Sequence, residues 1–208
     1  MHRKGRRMTT GKLLLPISLT LAMTLALSAC VNLGGKVPPS MLVLTPAATV
    51  AGGTMQRGAA KDALVILIPE VPRKLETNRV PVQIDGSNIA YLEDAVWADK
   101  PARLMQMLLM ETISAKNNRL VLNQVDAGGK AEHFLAGALL EFGIDATRNE
   151  AVVIYDAVRL QNGKEVEKKR FEARSAVLEI KAGAAGSALN AAANVVASDI
   201  AAWLAAPG

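Results

Sequence analysis

The sequence predicts a single α+β domain with a mainly antiparallel or mixed sheet packed by two helices. Three observations support this fold class. Apolar side chains recur every three or four residues in about 101–117 and 187–206, which is helical spacing. Several segments between residues 41 and 177 are short, apolar and rich in β-branched residues, as strands are. Asn162-Gly163 separates two of them and is a strong β-hairpin signal.

Residues 1–29 have the pattern of a secretory signal peptide. A basic run precedes an apolar segment at 13–27, which is shorter than the roughly 20 residues of a permanent membrane span. Leu27, Ser28 and Ala29 then lead directly into Cys30, the one cysteine of the chain. This cleavage motif resembles the lipobox of bacterial lipoproteins. The resemblance implies that Cys30 becomes the N-terminus and carries covalent diacylglycerol and an N-acyl chain.

An alternative for Cys30 is a small buried residue near an ordinary signal cleavage site. A lone cysteine in an exported protein can form no internal disulfide, so lipid attachment accounts for it better. Several acyl chains would anchor the protein on a membrane stably, at roughly 0.8 kcal/mol per buried methylene. Val31 follows Cys30, whereas Asp there favours inner-membrane retention in enterobacterial lipoproteins. By that analogy we expect the periplasmic face of the outer membrane.

Residues 30–40 are predicted to be a tether, and residues 41–208 one folded domain. Gly34, Gly35, Pro38 and Pro39 oppose regular structure in the tether. The whole chain has 24 basic and 19 acidic residues, but five basic residues precede Cys30, which leaves 24 − 5 = 19 of each sign. The near-zero formal charge gives no support for a nucleic-acid partner.

The first half of the domain predicts several strands. Residues 41–45 are expected to form the first one, and the small residues at 47–60 indicate a mobile loop. Residues 63–68 predict a central strand buried on both faces. Pro81 indicates an edge strand at 80–84, because proline cannot donate to a ladder. A turn at 85–88 and a short return strand at 89–92 follow.

The first helix is predicted to begin with Asp99 as its cap and Pro101 in its first turn. Two interpretations of its methionines remain open, namely gap filling in the core and an adaptable contact surface. Residues 120–122 predict another short strand. We expect Ser187 to cap the second helix, where Trp203 is either a core anchor or a binding residue.

A longer strand is predicted from residue 133, because the even positions from 134 to 144 form an apolar row that we expect to face the core. A hairpin of residues 151–160 and 164–177 completes an antiparallel meander. Phe171 and Ala173 should point inward from its return strand.

No catalytic or metal-binding motif stands out, so we expect a protein that is not an enzyme. His133 is the one histidine left after the signal peptide, and we expect it to be a solvated residue at a strand edge. Glu141 and Asp145 would lie about 13 Å apart along a strand, too far to act as a cooperating pair.

The order of these features resembles the ABC-type transport auxiliary lipoprotein family, which includes the PqiC-like proteins. The resemblance covers nearly the whole mature chain and is most specific between Tyr91 and Pro101. The matching residues are the lipobox, Met41 to Pro46, Ile68-Pro69, Pro72, Asn88 to Tyr91, Trp97 to Pro101, and Leu104. The aromatic pair common in the family is missing at Met41 and Leu42.

The resemblance implies a noncatalytic lipoprotein that works beside an MCE-domain periplasmic protein, with separate ABC permease and ATPase subunits. It also allows a homo-oligomer around the lipid conduit. Two alternatives remain. One is a periplasmic carrier that holds a lipid chain between the helices and the sheet, and the other is a structural lipoprotein of another envelope assembly, such as a secretin.

Overall fold

The computed structural model describes residues 41–161 and 165–206. Within them, a seven-stranded mixed sheet and two helices form one α+β domain, as the sequence predicted. The strands are β1 (Leu64–Ile66), β2 (Arg79–Gln83), β3 (Ile89–Val96), β4 (Val121–Leu122), β5 (His133–Asp145), β6 (Glu150–Gln161) and β7 (Glu165–Ala176). The helices are α1 (Pro101–Asn117) and α2 (Ala182–Ala205).

Several predictions lie outside the described residues. They are the signal peptide, the lipobox with Cys30, the tether of residues 30–40 and the Asn162-Gly163 turn. The register of the hairpin is visible, however, because Gln161 of β6 pairs with Glu165 of β7. These four regions therefore remain predictions from the sequence.

The sheet is organised around β5. On one side it pairs with β6, which in turn pairs with β7, and the three strands form the predicted antiparallel meander. Its other side pairs in parallel with β1 near its start and with β2 near its end. β1 is itself flanked by β4, so it is an interior strand, and its three residues are buried. Its pairing stops at Ile66, two residues before the predicted end.

Both helices cover one face of the sheet and form the core with it. Ten large, fully buried side chains fill this layer: Trp97, Tyr155, Phe142, Leu75, Met105, Leu108, Leu109, Ile113, Leu135 and Leu139. Phe171 and Ala173 point inward from β7, as predicted. The half-buried Trp203 ring lies 5.7 Å from the Phe171 ring, so Trp203 anchors the end of α2 to the sheet.

A bulge in β5 makes part of the predicted core row wrong. The pairing with β6 shifts between Leu139 and Glu141, so one extra residue is inserted there. Before the bulge the core residues are Leu135 and Leu139, and after it they are Phe142 and Ile144. Because side chains alternate with period two, a one-residue insertion moves the core row from odd to even positions.

The strand with Pro81 is interior, which contradicts the predicted edge position. β2 lies between β3 and β5, but it pairs with β5 only through Val82 and Gln83. No ladder bond to β5 is therefore required from Pro81. Gly143 accommodates the close approach, since a Cβ there would lie 2.5 Å from the Pro81 carbonyl oxygen. β3 continues to Val96, beyond the predicted return strand.

Neither helix begins with the predicted capping side chain. The residue before α1 is Lys100, and Asp99 instead accepts a hydrogen bond from the Lys100 backbone N–H at 2.7 Å. Asn118 adopts a left-handed conformation and ends α1 close to the predicted position. α2 begins at Ala182, five residues before Ser187. The added residues include Ala185 and Gly186, which are buried, and the Leu42 side chain packs against Gly186.

Residues 41–60 form what we call the N-terminal strap. The predicted strand at 41–45 is absent, since only Leu42 forms a parallel bridge, with Trp97. Residues 41–50 still alternate between exposed and half-buried side chains. They therefore have the two-residue periodicity of a strand, although they do not pair with the sheet as a strand does. Farther along the strap, the Val50 N–H donates to Glu111 on α1 at 2.7 Å. The strap is pinned across both helices, which differs from the predicted mobile loop.

Two asparagines on α2 replace the missing strand partner. Asn190 Oδ1 accepts the Thr45 N–H at 2.8 Å, and Asn194 Oδ1 accepts the Ala47 N–H at 2.7 Å. Asn194 also donates its Nδ2 to the Thr45 carbonyl at 2.9 Å. The two asparagines are four residues apart on α2, a rise of about 6 Å, and the N–H groups that they bind are two residues apart on the extended strap, a span of about 6.6 Å. The two spacings therefore match.

We expect Asn194→Ala to loosen the strap without unfolding the domain. The change removes two hydrogen bonds to the strap, each with a net contribution of about 0.5–1.5 kcal/mol. Amide hydrogen exchange should accelerate in residues 43–50 and stay unchanged in β5 and β6. Val195→Ala, at an exposed neighbouring position, is the control. Equal exchange in both variants would contradict the role of the asparagine pair.

By length and composition, α2 is apolar enough to span a membrane. In this domain it is a core helix. Its buried residues face the sheet and α1, and Lys116 Nζ on α1 donates to Ser198 Oγ on α2 at 2.6 Å. The small alanine side chains allow this close packing.

Candidate functional site

The four family-motif positions form a structural corner between β3 and α1. Trp97 is fully buried and its ring lies 5.0 Å from that of Phe142. Pro101 and Leu104 are buried at the start of α1. Only Tyr91 is partly accessible. Trp97, Pro101 and Leu104 therefore fix the packing of the corner, whereas Tyr91 also lines a depression of about 580 Å³ between β2, β3 and the start of α2.

Tyr91 is held in place from two sides. Its hydroxyl donates a long hydrogen bond of 3.4 Å to the Lys74 carbonyl, and the Arg79 guanidinium lies 4.4 Å from the ring centroid. A cation over an aromatic face is favourable, by about 0.5–1 kcal/mol at an exposed site. Tyr91 therefore joins β2, β3 and the turn before β2.

The face of the sheet opposite the helices carries a charged layer. Asp156 on β6 accepts hydrogen bonds from Arg170 at 2.6 Å and lies 3.1 Å from Lys168, both on β7. Arg174 contacts Glu172 at 2.7 Å and Glu150 at 3.3 Å. Since these cations already have acidic partners, the layer is not a ready-made site for an anion.

The ion pairs lower the pKa of Asp156. Hydrogen bonding to Arg170 is the main cause, and it moves the pKa from 3.8 to about 2, while burial opposes the shift. The Asp145 carboxyl also has a pKa of about 2, chiefly because the Thr147 hydroxyl donates to it. Both groups therefore stabilise the folded state in their ionised form.

We expect Asp156→Asn to reduce the amount by which the free energy of unfolding falls between pH 5 and pH 2.5. A depressed folded pKa contributes stability above about pH 4, and this is lost as the pH falls through about 2. The Asp156 side chain is 9% exposed but Arg170 is 60% exposed, so the contribution is at most about 2 kcal/mol. Urea midpoints at pH 5 and pH 2.5 measure it, with the exposed Asp199→Asn as control. Equal pH slopes in both variants would refute the assignment.

Glu141 and Asp145 line a depression of about 210 Å³ on this same face, together with Lys74 and Arg174. Each carboxylate has its own cation, since Glu141 pairs with Lys74 at 2.6 Å and Asp145 with Arg148 at 2.8 Å. Neither pair leaves a carboxylate poised to share a proton with the other. This agrees with the expectation that they do not cooperate.

His133 lies at the start of β5, half-buried and between strands on both sides. The predicted position at a sheet edge is wrong, because β5 is the hub of the sheet. Across the described ranges, no group of three or more His, Cys, Asp or Glu residues is arranged to hold a metal ion.

A groove beside α1, which we call the α1 groove, is one of the larger depressions on the surface of the described residues. It has a volume of about 570 Å³. Its lining residues are Leu67, Ile68, Arg103, Gln106, Met107, Met110, Asn123, Gln124 and Val125. The methionines of α1 divide accordingly, since Met105 is fully buried in the core and Met107 is 56% exposed at the groove. Gap filling and surface exposure thus both occur on one helix.

Sequence reasoning missed two residues of this groove. Ile68 had been placed in a buried strand, but it lies after the end of β1 and is 51% exposed. Val125 is 86% exposed in a polar turn, and an isolated apolar residue between Gln124 and Asp126 was the available signal.

The family model of the ABC-type transport auxiliary lipoprotein component matches residues 43–201. A search of curated proteins gives no match. Among solved structures, protein XCC0632 from Xanthomonas campestris, of family DUF330, is 16% identical with a TM-score of 0.64. The alignment covers 80% of this chain and 95% of that protein. At this identity the likeness shows a shared fold.

Two further structures are similar. An uncharacterized protein is 14% identical with a TM-score of 0.61, over 69% of this chain and 92% of its own. A putative lipoprotein from Caulobacter crescentus CB15 is 27% identical, over 50% of this chain and 87% of its own. Its TM-score is 0.33, so this superposition supports no comparison of folds.

Proposed function

The chain belongs to the ABC-type transport auxiliary lipoprotein family, and from this premise we propose that it is a noncatalytic accessory of an MCE-type lipid transport system. Diacylglycerol and an N-acyl chain on Cys30 would anchor it to the periplasmic face of the outer membrane. Its partner would be an MCE-domain periplasmic protein, with the ABC permease and ATPase as separate subunits. The observation that carries the proposal is the family match over residues 43–201.

The domain suits an accessory that binds other proteins. Several of its charged side chains form ion pairs, such as Lys74–Glu141 and Arg170–Asp156. Ile84 and Ile89, which flank the β2–β3 turn, are exposed apolar side chains that another protein can contact. Such surfaces are typical of interaction sites.

The packing argues against a carrier that holds a lipid between the helices and the sheet. That layer is filled by fully buried side chains such as Trp97, Met105 and Phe142. Protein interiors of this kind are close-packed, so an acyl chain could enter only by displacing core residues. Mass spectrometry of protein purified without its lipid anchor tests the carrier function. Lipid bound in stoichiometric amount would favour that function.

Crosslinking in intact cells tests the proposed partner. A photoreactive amino acid replaces one exposed residue at a time, for example Ile84 at the β2–β3 turn, Val166 on β7 or Leu178 before α2. We expect mass spectrometry to identify an MCE-domain protein among the crosslinked products. A buried position, Leu109, is the matched negative control. Recovery of a secretin in place of an MCE protein would favour the structural alternative and refute the proposal.

A further inference from the structure

Three exposed apolar side chains converge on the α1 groove from three separate elements. Ile68 follows β1, Met107 lies in the second turn of α1, and Val125 stands in the turn after β4. Their exposed fractions are 51%, 56% and 86%. Single apolar residues scattered on a surface are ordinary, whereas a cluster around one groove indicates an interaction site.

The apolar surface extends beyond the groove. Leu67 and Ile68 also border a second depression, on the sheet face opposite the helices. That depression is lined by the apolar Ala136, Ala138, Val158 and Leu160 and by the charged Glu70, Asp156 and Lys168. The apolar surface that the two depressions share is therefore Leu67 and Ile68, in the segment after β1.

Most polar side chains at the rim are already satisfied within the domain. Gln106 Nε2 donates to the Ile66 carbonyl at 2.8 Å, and Asn123 Oδ1 accepts the backbone N–H groups of the turn that carries Val125. Arg103 pairs with Asp99 at 3.1 Å. A protein partner usually makes one hydrogen bond per 100–200 Å² of interface, whereas the apolar zone of a lipid leaflet needs none. The rim chemistry therefore fits lipid better than protein.

The described chain begins at Met41, and Leu42 pairs with Trp97 at the corner that leads into α1, the helix that carries Met107. The ten residues from Val31 to Ser40 can span at most about 34 Å, so an anchor at Cys30 keeps the domain close to its leaflet. Such confinement gives a high effective concentration, at which even a weak surface contact is populated.

We propose that the α1 groove and its apolar rim dock the folded domain on the phospholipid leaflet that holds its anchor. This inference rests on the lipid anchor of the proposed function. Arg103 at the groove is paired with Asp99 and the mature chain has 19 residues of each sign, so the contact is apolar in character. It should form on zwitterionic lipid and depend little on salt.

The test uses the full acylated protein in vesicles of phosphatidylethanolamine and phosphatidylcholine. Val125→Cys introduces the one free thiol, because Cys30 is blocked by lipid, and an environment-sensitive fluorophore is attached to it. We expect a lipid-linked quencher to quench this probe at least severalfold more than a probe at Val195→Cys, on the outer surface of α2. The difference should persist at 0.5 M salt.

A second variant tests the groove itself. Ile68→Thr with Met107→Gln should reduce quenching at position 125 severalfold, whereas Val166→Thr with Leu178→Gln should leave it unchanged. All four positions are exposed, so circular dichroism should show unaltered folding. Vesicle flotation of the same samples measures the anchor separately, and hence a failed anchor is distinguished from failed docking.

Three outcomes would overturn the inference. One is equal quenching at positions 125 and 195. Another is a loss of solvent exposure of the probe at position 125 that grows with protein density at constant lipid. Such a result would assign the surface to a second copy of the chain. The third is a loss of solvent exposure of this probe that occurs only when an MCE-domain protein is added. That result would make the groove a protein contact.

Discussion

Trp97→Ala is expected to destabilise the domain by about 3–5 kcal/mol, the range for replacing a buried tryptophan by alanine. Trp97 is fully buried, and its ring packs against that of Phe142 at a centroid distance of 5.0 Å. It also bridges to Leu42, so its loss would loosen the start of the strap. For a domain of this size, the melting temperature should fall by roughly 10 °C. Urea and thermal unfolding followed by circular dichroism measure both quantities.

The second tryptophan provides a matched comparison. Trp203 is half-buried near the end of α2, where it contacts Phe171 and the Arg159 guanidinium. Trp203→Ala should therefore cost less than Trp97→Ala. Trp97→Phe keeps an aromatic ring, and it removes an indole N–H that has no partner in the described residues, so it should be milder still. A Trp97→Ala variant as stable as the wild type would contradict the structural role of the motif.

The sequence was sufficient to predict the fold class, because the helical and strand periods are strong in this chain. The meander of β5, β6 and β7 and the inward Phe171 follow from period two and from one turn signal. Both helices were found from apolar spacing. The start of α1 at Pro101 is confirmed although its predicted cap is wrong, whereas α2 begins five residues before the predicted cap Ser187. In that added segment Leu42, distant in sequence, packs against Gly186.

Three features could not be predicted from local patterns, because each depends on a partner far along the chain. The β5 bulge is visible only in its register with β6. The interior position of Pro81 depends on the close approach that Gly143 permits. The strap has strand-like alternation, but its partners are Asn190 and Asn194, on a helix about 145 residues later.

The candidate surface was only partly predictable. The methionines of α1 suggested a contact surface or a gap-filled core, and only the structure separates Met105 from Met107. Ile68 and Val125 join Met107 because β1, α1 and the turn after β4 meet there, which sequence spacing does not encode. The family motif at Tyr91 to Pro101 had the opposite outcome, since it is the most specific part of the resemblance and yet its Trp97 and Pro101 are buried in the fold.

Cys30→Ser is expected to abolish membrane anchoring. A serine hydroxyl cannot receive the thioether-linked diacylglycerol, so the protein should appear in the soluble periplasmic fraction or remain an uncleaved precursor. Each buried methylene stabilises membrane binding by about 0.8 kcal/mol, and even one myristoyl chain gives only reversible binding. Losing every chain should therefore shift the protein almost completely. Cell fractionation followed by intact-mass measurement detects both the location and the missing acyl mass.

Ser40→Ala, at the end of the predicted tether, is the control, and it should remain acylated and bound. The comparison also isolates the anchor from the docking surface, because Cys30→Ser leaves the α1 groove intact. A released protein that still binds zwitterionic vesicles weakly, through Ile68, Met107 and Val125, would fit both proposals. Firm outer-membrane association of Cys30→Ser would instead show that the lipobox assignment is wrong, because the anchor would then have to lie elsewhere in the chain.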